Sequence, residues 1–139
     1  MSTITTTIEK KWNGNIIKIQ GKRVVNKSIF EIGLVVEGQA KTLCPIKTGR
    51  LAGSITTQAS DGQGTAPRAP AGPGDMIQKP NVPNEVYVGT AVEYGPYQEF
   101  GTVRNNAQPF LRPALDLAKG KALTIVKENG RYEFREYMK

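Results

Sequence analysis

The sequence predicts an α+β fold: a small antiparallel sheet with a long N-terminal helix, a short aromatic helix and a C-terminal helix, plus a long Gly/Pro-rich loop. Three observations carry that prediction. Between Lys22 and Leu43 the apolar residues Val24 (or Val25), Ile29, Ile32, Val36, Ala40 and Leu43 recur mostly at three and four, the helical period. Between Ser60 and Asn84, nine of 25 residues are Gly or Pro, which excludes a regular helix or an interior strand. From Leu111 onward, Leu115, Ala118, Ala122 and Ile125 or Val126 mark a second amphipathic helix. A chain of 139 residues predicts one domain, spanning 1–139, that is long enough to bury a core.

In chain order, Thr3–Trp12 is rich in threonine and isoleucine and reads as a strand. Asn13-Gly14 then has two readings, a two-residue hairpin turn into a strand at Asn15–Gln20 or the start of the long helix. Gly21, Gly33 and Gly38 each weaken that helix by about 1 kcal/mol relative to alanine, or else admit a close neighbour. Pro45 ends it, because the residue before a proline avoids the helical region. Thr48-Gly49-Arg50-Leu51 reads as a turn into a strand at Gly53–Ala59, with Leu51 and Ile55 returning to the core.

The Gly/Pro-rich loop over 60–84 delivers the chain to a strand at Glu85–Thr90, antiparallel to Gly53–Ala59. A structureless loop of that length is uncommon in a small domain, and the expectation is an arm that orders only against a neighbouring subunit. Gly89-Thr90 closes the strand. Tyr94, Tyr97 and Phe100 then recur at helical spacing, with Pro96 near the start and Gly101 just past the end. Five of the ten aromatic residues fall between Tyr87 and Phe110, and at this spacing they read as core rather than as a base-stacking platform. Arg104–Gln108 is polar and expected to be exposed. The last helix opens around Pro113 and stops before Gly130; Tyr132 and Phe134 alternate with charged residues, which predicts a strand or arm over 130–139.

Composition narrows the chemistry. There is one cysteine and no histidine, so an internal disulfide, a cysteine-cluster metal site and any Ser-His-Asp or Cys-His arrangement are excluded. Cys44 suits a reducing compartment and reads as a small packing residue. Glu93 and Glu99 are six apart and on different faces of a short helix, a poor pair for glycoside hydrolysis. Together with Arg50 and Arg112, Glu93 reads as a partner in ion pairs within the fold or across a subunit boundary. Lys47-Thr48-Gly49 lacks the spacing of a phosphate loop. No apolar run approaches the ~20 residues of a membrane span, and the N-terminus lacks the layout of a secretion signal, so the expectation is a soluble protein made in a cytosol. The net charge is +7, distributed as +6 over residues 1–50, −3 over 51–100 and +4 over 101–139. Blocks of opposite sign suit surfaces that meet between copies.

Two phrases also resemble a known family. Glu93-Tyr94-Gly95-Pro96-Tyr97-Gln98-Glu99-Phe100-Gly101-Thr102, followed by Pro109-Phe110-Leu111-Arg112-Pro113-Ala114, is similar to the neck or tail-completion (tail-component) proteins of long-tailed bacteriophages. The same family carries an upstream phrase, here Cys44-Pro45-Ile46-Lys47-Thr48-Gly49-Arg50-Leu51-Ala52-Gly53-Ser54-Ile55, departing at Cys44, usually alanine, and at Lys47, often an acid. The resemblance covers roughly Asn15–Lys127. It implies a long helix over Asn15–Leu43 and a structural virion protein at the head–tail junction, assembled as a hexameric ring with other neck and tail proteins around the DNA channel. The implied fold and interface residues are Pro45, Thr48, Gly49, Leu51, Ser54, Gly89, Tyr94, Pro96, Tyr97, Phe100, Gly101, Pro109, Phe110, Arg112 and Pro113. No catalytic, cofactor-binding or metal-binding residue is implied. Lys10, Lys11, Lys18, Lys22, Arg23 and Lys27 are candidates to face DNA, and they also support an alternative, a sequence-independent nucleic-acid-binding protein, recognised by steeply salt-dependent binding. A third class, a virion-associated hydrolase, requires turnover that is lost on changing Glu93 or Glu99.

Overall fold

Helical periodicity and the absence of proline between Gly14 and Leu43 produce one continuous helix, α1 (Gly14–Leu43), about 45 Å long at 1.5 Å per residue. The computed structural model describes residues 14–47 and 49–138. Pro45 stops α1 as the sequence requires, with the Cys44 N–H closing the last turn on Ala40 O at 2.9 Å. A short helix α2 (Arg50–Ser54) leads into β1 (Thr56–Ala59), and a long loop containing a 3₁₀ turn at Pro73–Asp75 leads to β2 (Val86–Gly89). Then come α3 (Gly95–Phe100) and α4 (Leu111–Met138). β1 and β2 pair antiparallel, with Thr56 opposite Gly89 and Ala59 opposite Val86.

The C-terminal half of α1 supports both the sheet and α4. Val36 and Ala40 from α1 and Cys44 just past its end form one apolar cluster with Leu51, Ile55, Val92, Phe110, Ala114 and Ala118. Among the described residues Phe110 is the largest fully buried side chain, and it joins the α3–α4 link to α1. Gly33 is where the sheet crosses α1. A Cβ there would lie 2.7 Å from Thr57 Cγ2 and 2.9 Å from Val86 Cγ2, so the strands approach the helix only because that position is bare. One of the three helix glycines therefore has the packing role the sequence allowed; Gly21 and Gly38 face open space.

α4 runs antiparallel to α1. Its start joins the cluster around Val36 and Ala40, while Asn129 Nδ2 donates to Ser28 Oγ (3.2 Å) and Glu31 Oε2 (2.8 Å). One turn further on, Lys27 Nζ sits over the Tyr132 ring, 4.7 Å from its centre, a cation–π contact. These contacts correct the strand or arm expected over 130–139: the helix continues through Gly130, Tyr132 and Phe134 to Met138. The alternation of aromatic and charged residues is a surface pattern on a helix whose geometry is set by α1, about a hundred residues away in sequence.

Of the two readings of Asn15–Gln20, the helix holds, since these residues belong to α1. Two further expectations are corrected. The strand expected over Gly53–Ala59 begins only at Thr56, because Arg50–Ser54 make a helical turn in which Ser54 Oγ bonds Leu51 O at 2.6 Å. The loop over 60–84 does not project as an arm. Its Thr65 hydroxyl reaches Glu37, its Arg68 N–H bonds Gly53 O at 2.8 Å, and its Asp75 binds Arg50, so this stretch folds back over its own domain. The strand expected over Thr3–Trp12 lies outside the described residues.

Candidate interaction surface

Buried carboxylates position the surface elements. Glu99, at the end of α3, accepts the backbone N–H groups of Phe110 (2.7 Å), Leu111 (2.9 Å) and Arg112 (2.9 Å). Those are donors that the first turn of a helix cannot satisfy internally, so Glu99 caps α4 from outside the sequence window in which caps are usually sought. Burial opposes its charge, but the three N–H groups and Arg112 outweigh burial and hold the carboxyl below its usual range. Glu37 plays the same part under the sheet. Its Oε2 accepts the hydroxyls of Thr57 (2.7 Å) and Thr65 (2.8 Å), and Lys41 pairs with its Oε1. Here too burial is outweighed, by the Lys41 and threonine hydrogen bonds, and the carboxyl is held below its usual range.

The upstream phrase meets the loop and the aromatic phrase. Arg50 donates to Asp75 through Nε (3.1 Å to Oδ2) and Nη2 (2.7 Å to Oδ1), the two-pronged geometry that suits a carboxylate. Arg50 thus has Asp75 as an ion-pair partner within the fold. Ser54 Oγ lies 2.5 Å from Thr90 Oγ1, and Leu51, Ser54, Gly89 and Phe110 are buried. Pro45 and Pro113 are half-buried, Pro109 and Arg112 exposed, and Thr48 lies outside the described residues. Burial pushes the Cys44 thiol up to about 11, and its Sγ faces Pro45 O at 3.6 Å, so it is a packing residue as expected, with desolvation as the cause of its inertness.

Gly101 ends α3 with φ +77° and ψ 175°, a region that side chains avoid, and a Cβ there would lie 2.7 Å from Ala107 N. Gly101→Ala is expected to cost about 1–3 kcal/mol of stability, read as a lower urea midpoint at unchanged slope.

Of the five aromatic residues between Tyr87 and Phe110, Phe110 is core and the other four are not. Tyr97 is 60% exposed and Phe100 72% exposed, and Tyr87 and Val103 are also at the surface. The helical spacing of Tyr97 and Phe100, after Tyr94 at the start, places them on an outward face of a six-residue helix that is held to the body by Gly95 and Glu99. Beside Phe100 lies an apolar groove of about 610 Å³, lined by Ile32, Gly33 and Val36 of α1 and by Val86–Val88, Pro96, Leu111 and Leu115. A second groove of about 730 Å³, lined by Leu43, Ala107, Pro109, Pro113 and Leu117, shares Glu99, Phe100 and Arg112 with the first, so these three side chains lie between them. Exposed apolar surface of this kind makes this face the candidate interaction surface of the described residues.

Lys18, Lys22 and Arg23 are exposed on the first half of α1, whereas Lys27 is half-buried against Tyr132; Lys10 and Lys11 lie outside the described residues. No group of three or more Cys, Asp or Glu among the described residues is placed to hold a metal. No helix among them is long and apolar enough to cross a membrane. Comparison with family models, with curated proteins and with solved structures finds no match to this chain.

Proposed function

We propose that this protein is a structural connector of a tailed bacteriophage, working in several copies at the neck, where the tail joins the head around the DNA channel. The observation that carries the reading is the surface built by the two family-like phrases. They pack against one another where Cys44, Leu51 and Ile55 meet Phe110 and Ala114, and they hold Tyr97 and Phe100 outward, Phe100 lining two apolar grooves. Residues that a solitary domain would bury are spent on the surface, as suits a protein whose partner completes its fold. The exposed Lys18, Lys22 and Arg23 on α1 suit non-specific contact with channel DNA, without a base-reading site.

Phe100→Asp tests this reading. The side chain is largely exposed, so the variant is expected to fold with the stability of the wild type while putting a charge between the grooves. Supplied to a phage deprived of its own copy, it should leave filled heads and free tails unjoined in electron micrographs. Infectious particles at wild-type yield would count against the surface as the joining site.

A further inference from the structure

The hydrogen bonds of the sheet leave one edge open. Ser60 N–H bonds Glu85 O, which with the register makes Gln58–Tyr87 and Thr56–Gly89 the bonded pairs. On β1 the outward groups of Thr57 and Ala59 are taken by the returning loop: Thr65 N–H bonds Thr57 O, and Ala59 N–H bonds Gln63 O. On β2 the outward groups belong to Val86 and Val88, and no hydrogen bond from them to another described residue is formed. Edge strands are normally blunted by charge, proline or a covering element, and Val-Tyr-Val-Gly carries neither charge nor proline. The open edge borders the apolar groove, which Ile32 and Val36 help to line.

We propose that this edge is completed by the segment Thr3–Ile8 of a neighbouring copy, added as a third strand. The segment Thr-Ile-Thr-Thr-Thr-Ile is built of β-branched residues throughout. With a period of two, Ile4, Thr6 and Ile8 share one face, and Thr3, Thr5 and Thr7 the other. Val86 points towards α1 beside Gly33, while Tyr87 is exposed, so Ile4 and Ile8 fall over the groove and the threonines fall beside Tyr87. Backbone bonds to Val86 and Val88 hold the strand, and the two isoleucines fix its register.

Reach decides between the chain's own segment and a neighbour's. β2 crosses α1 at Gly33, about 28 Å along the helix from Gly14 at 1.5 Å per residue. The six steps from Ile8 back to Gly14 span at most about 22 Å even when fully extended. A chain therefore cannot lay its own Thr3–Ile8 in full along its own β2, whereas a neighbour offset around a ring can.

This inference rests on the multi-copy connector reading, and its test separates the two. Full-length protein carrying Ile4→Lys and Ile8→Lys alters nothing in the described body. Sedimentation is expected to show self-association of the wild type and at least a tenfold weaker association of the double variant. In parallel, Thr5→Cys protein is mixed with Tyr87→Cys protein under mild oxidation, the buried Cys44 being common to both. A disulfide-linked product containing one copy of each is expected. A double variant that assembles like the wild type, a wild type that stays monomeric, or no mixed disulfide with Thr3→Cys, Thr5→Cys or Thr7→Cys would each overturn strand exchange. Unjoined heads and tails in the gene-deleted phage would leave the connector reading standing in any of those cases.

Discussion

Phe110→Ala should destabilise the protein by about 3–5 kcal/mol, the range for removing a large aromatic from a core, and be seen as a large drop in denaturant midpoint. Phe110 is 0% exposed and sits where α1, α2 and the α3–α4 link meet. Its neighbours Ala40, Ala114 and Ala118 are too small to collapse into the space it would leave. Because total stability is of the order of 5–15 kcal/mol for a domain, the variant should be partly unfolded at 37 °C. Phe110→Leu, which keeps most of the volume, is expected to lose much less. Equal losses for the two variants would mean that aromatic shape, rather than cavity formation, sets the effect.

The second large effect belongs to Glu99. Glu99→Ala strands three N–H groups at the start of α4, of which the Phe110 N–H is buried, and should cost about 2–3 kcal/mol, above the usual range for a single cap. The same carboxylate predicts an acid limb. Its folded-state pKa lies below the 4.5 of the unfolded chain, as does that of Glu37. Groups of that kind stabilise fully above the unfolded value, and the contribution is lost as the pH falls through the folded value. Stability should therefore be flat with respect to these two groups near neutrality and decline below about pH 4.5. Glu99→Gln, which keeps the shape and one acceptor oxygen, should be less stable at pH 7 and show a shallower decline. An unchanged acid limb in both Glu99→Gln and Glu37→Gln would remove these carboxylates as its cause.

The elements legible in the sequence were those fixed by local pattern. From Lys22 to Leu43 the long helix was legible because apolar spacing and Pro45 are local signals; its start near Asn15 came from the family resemblance and agrees with Gly14–Leu43. Local signals also marked β2 with its Val-Tyr-Val run, α3 between Pro96 and Gly101, and the antiparallel pairing of β1 with β2. α2 was not legible, since five residues containing Gly53 carry too little periodicity to separate a helical turn from a strand entry. The end of α4 was misread for a different reason. Tyr132 and Phe134 do alternate with charges, but Asn129 and Tyr132 are held by Ser28, Glu31 and Lys27, and no local rule sees those partners.

For the aromatic residues of the interaction surface, the sequence pattern gave the wrong environment for all but Phe110. Tyr97 and Phe100 recur as core residues do, yet a helix of six residues capped at both ends by glycine and proline chemistry can turn that face outward. The loop over 60–84 looked like an arm from its Gly and Pro content. Its anchors are Thr65 on Glu37 and Asp75 on Arg50, pairs separated by 28 and 25 residues. Glu99 was visible only as an acid ahead of Pro-Phe-Leu-Arg-Pro; its separation of 11–13 residues from the N–H groups it binds hides the cap from any motif.

The central claim is that this protein joins tails to heads, and electron microscopy of a lysate from a phage lacking its gene tests that most directly. The account predicts DNA-filled heads and complete, separate tails in the same field, with joining restored when the protein is supplied. Tails of abnormal length would move the protein to tail termination. Fully joined, infectious particles would contradict the account.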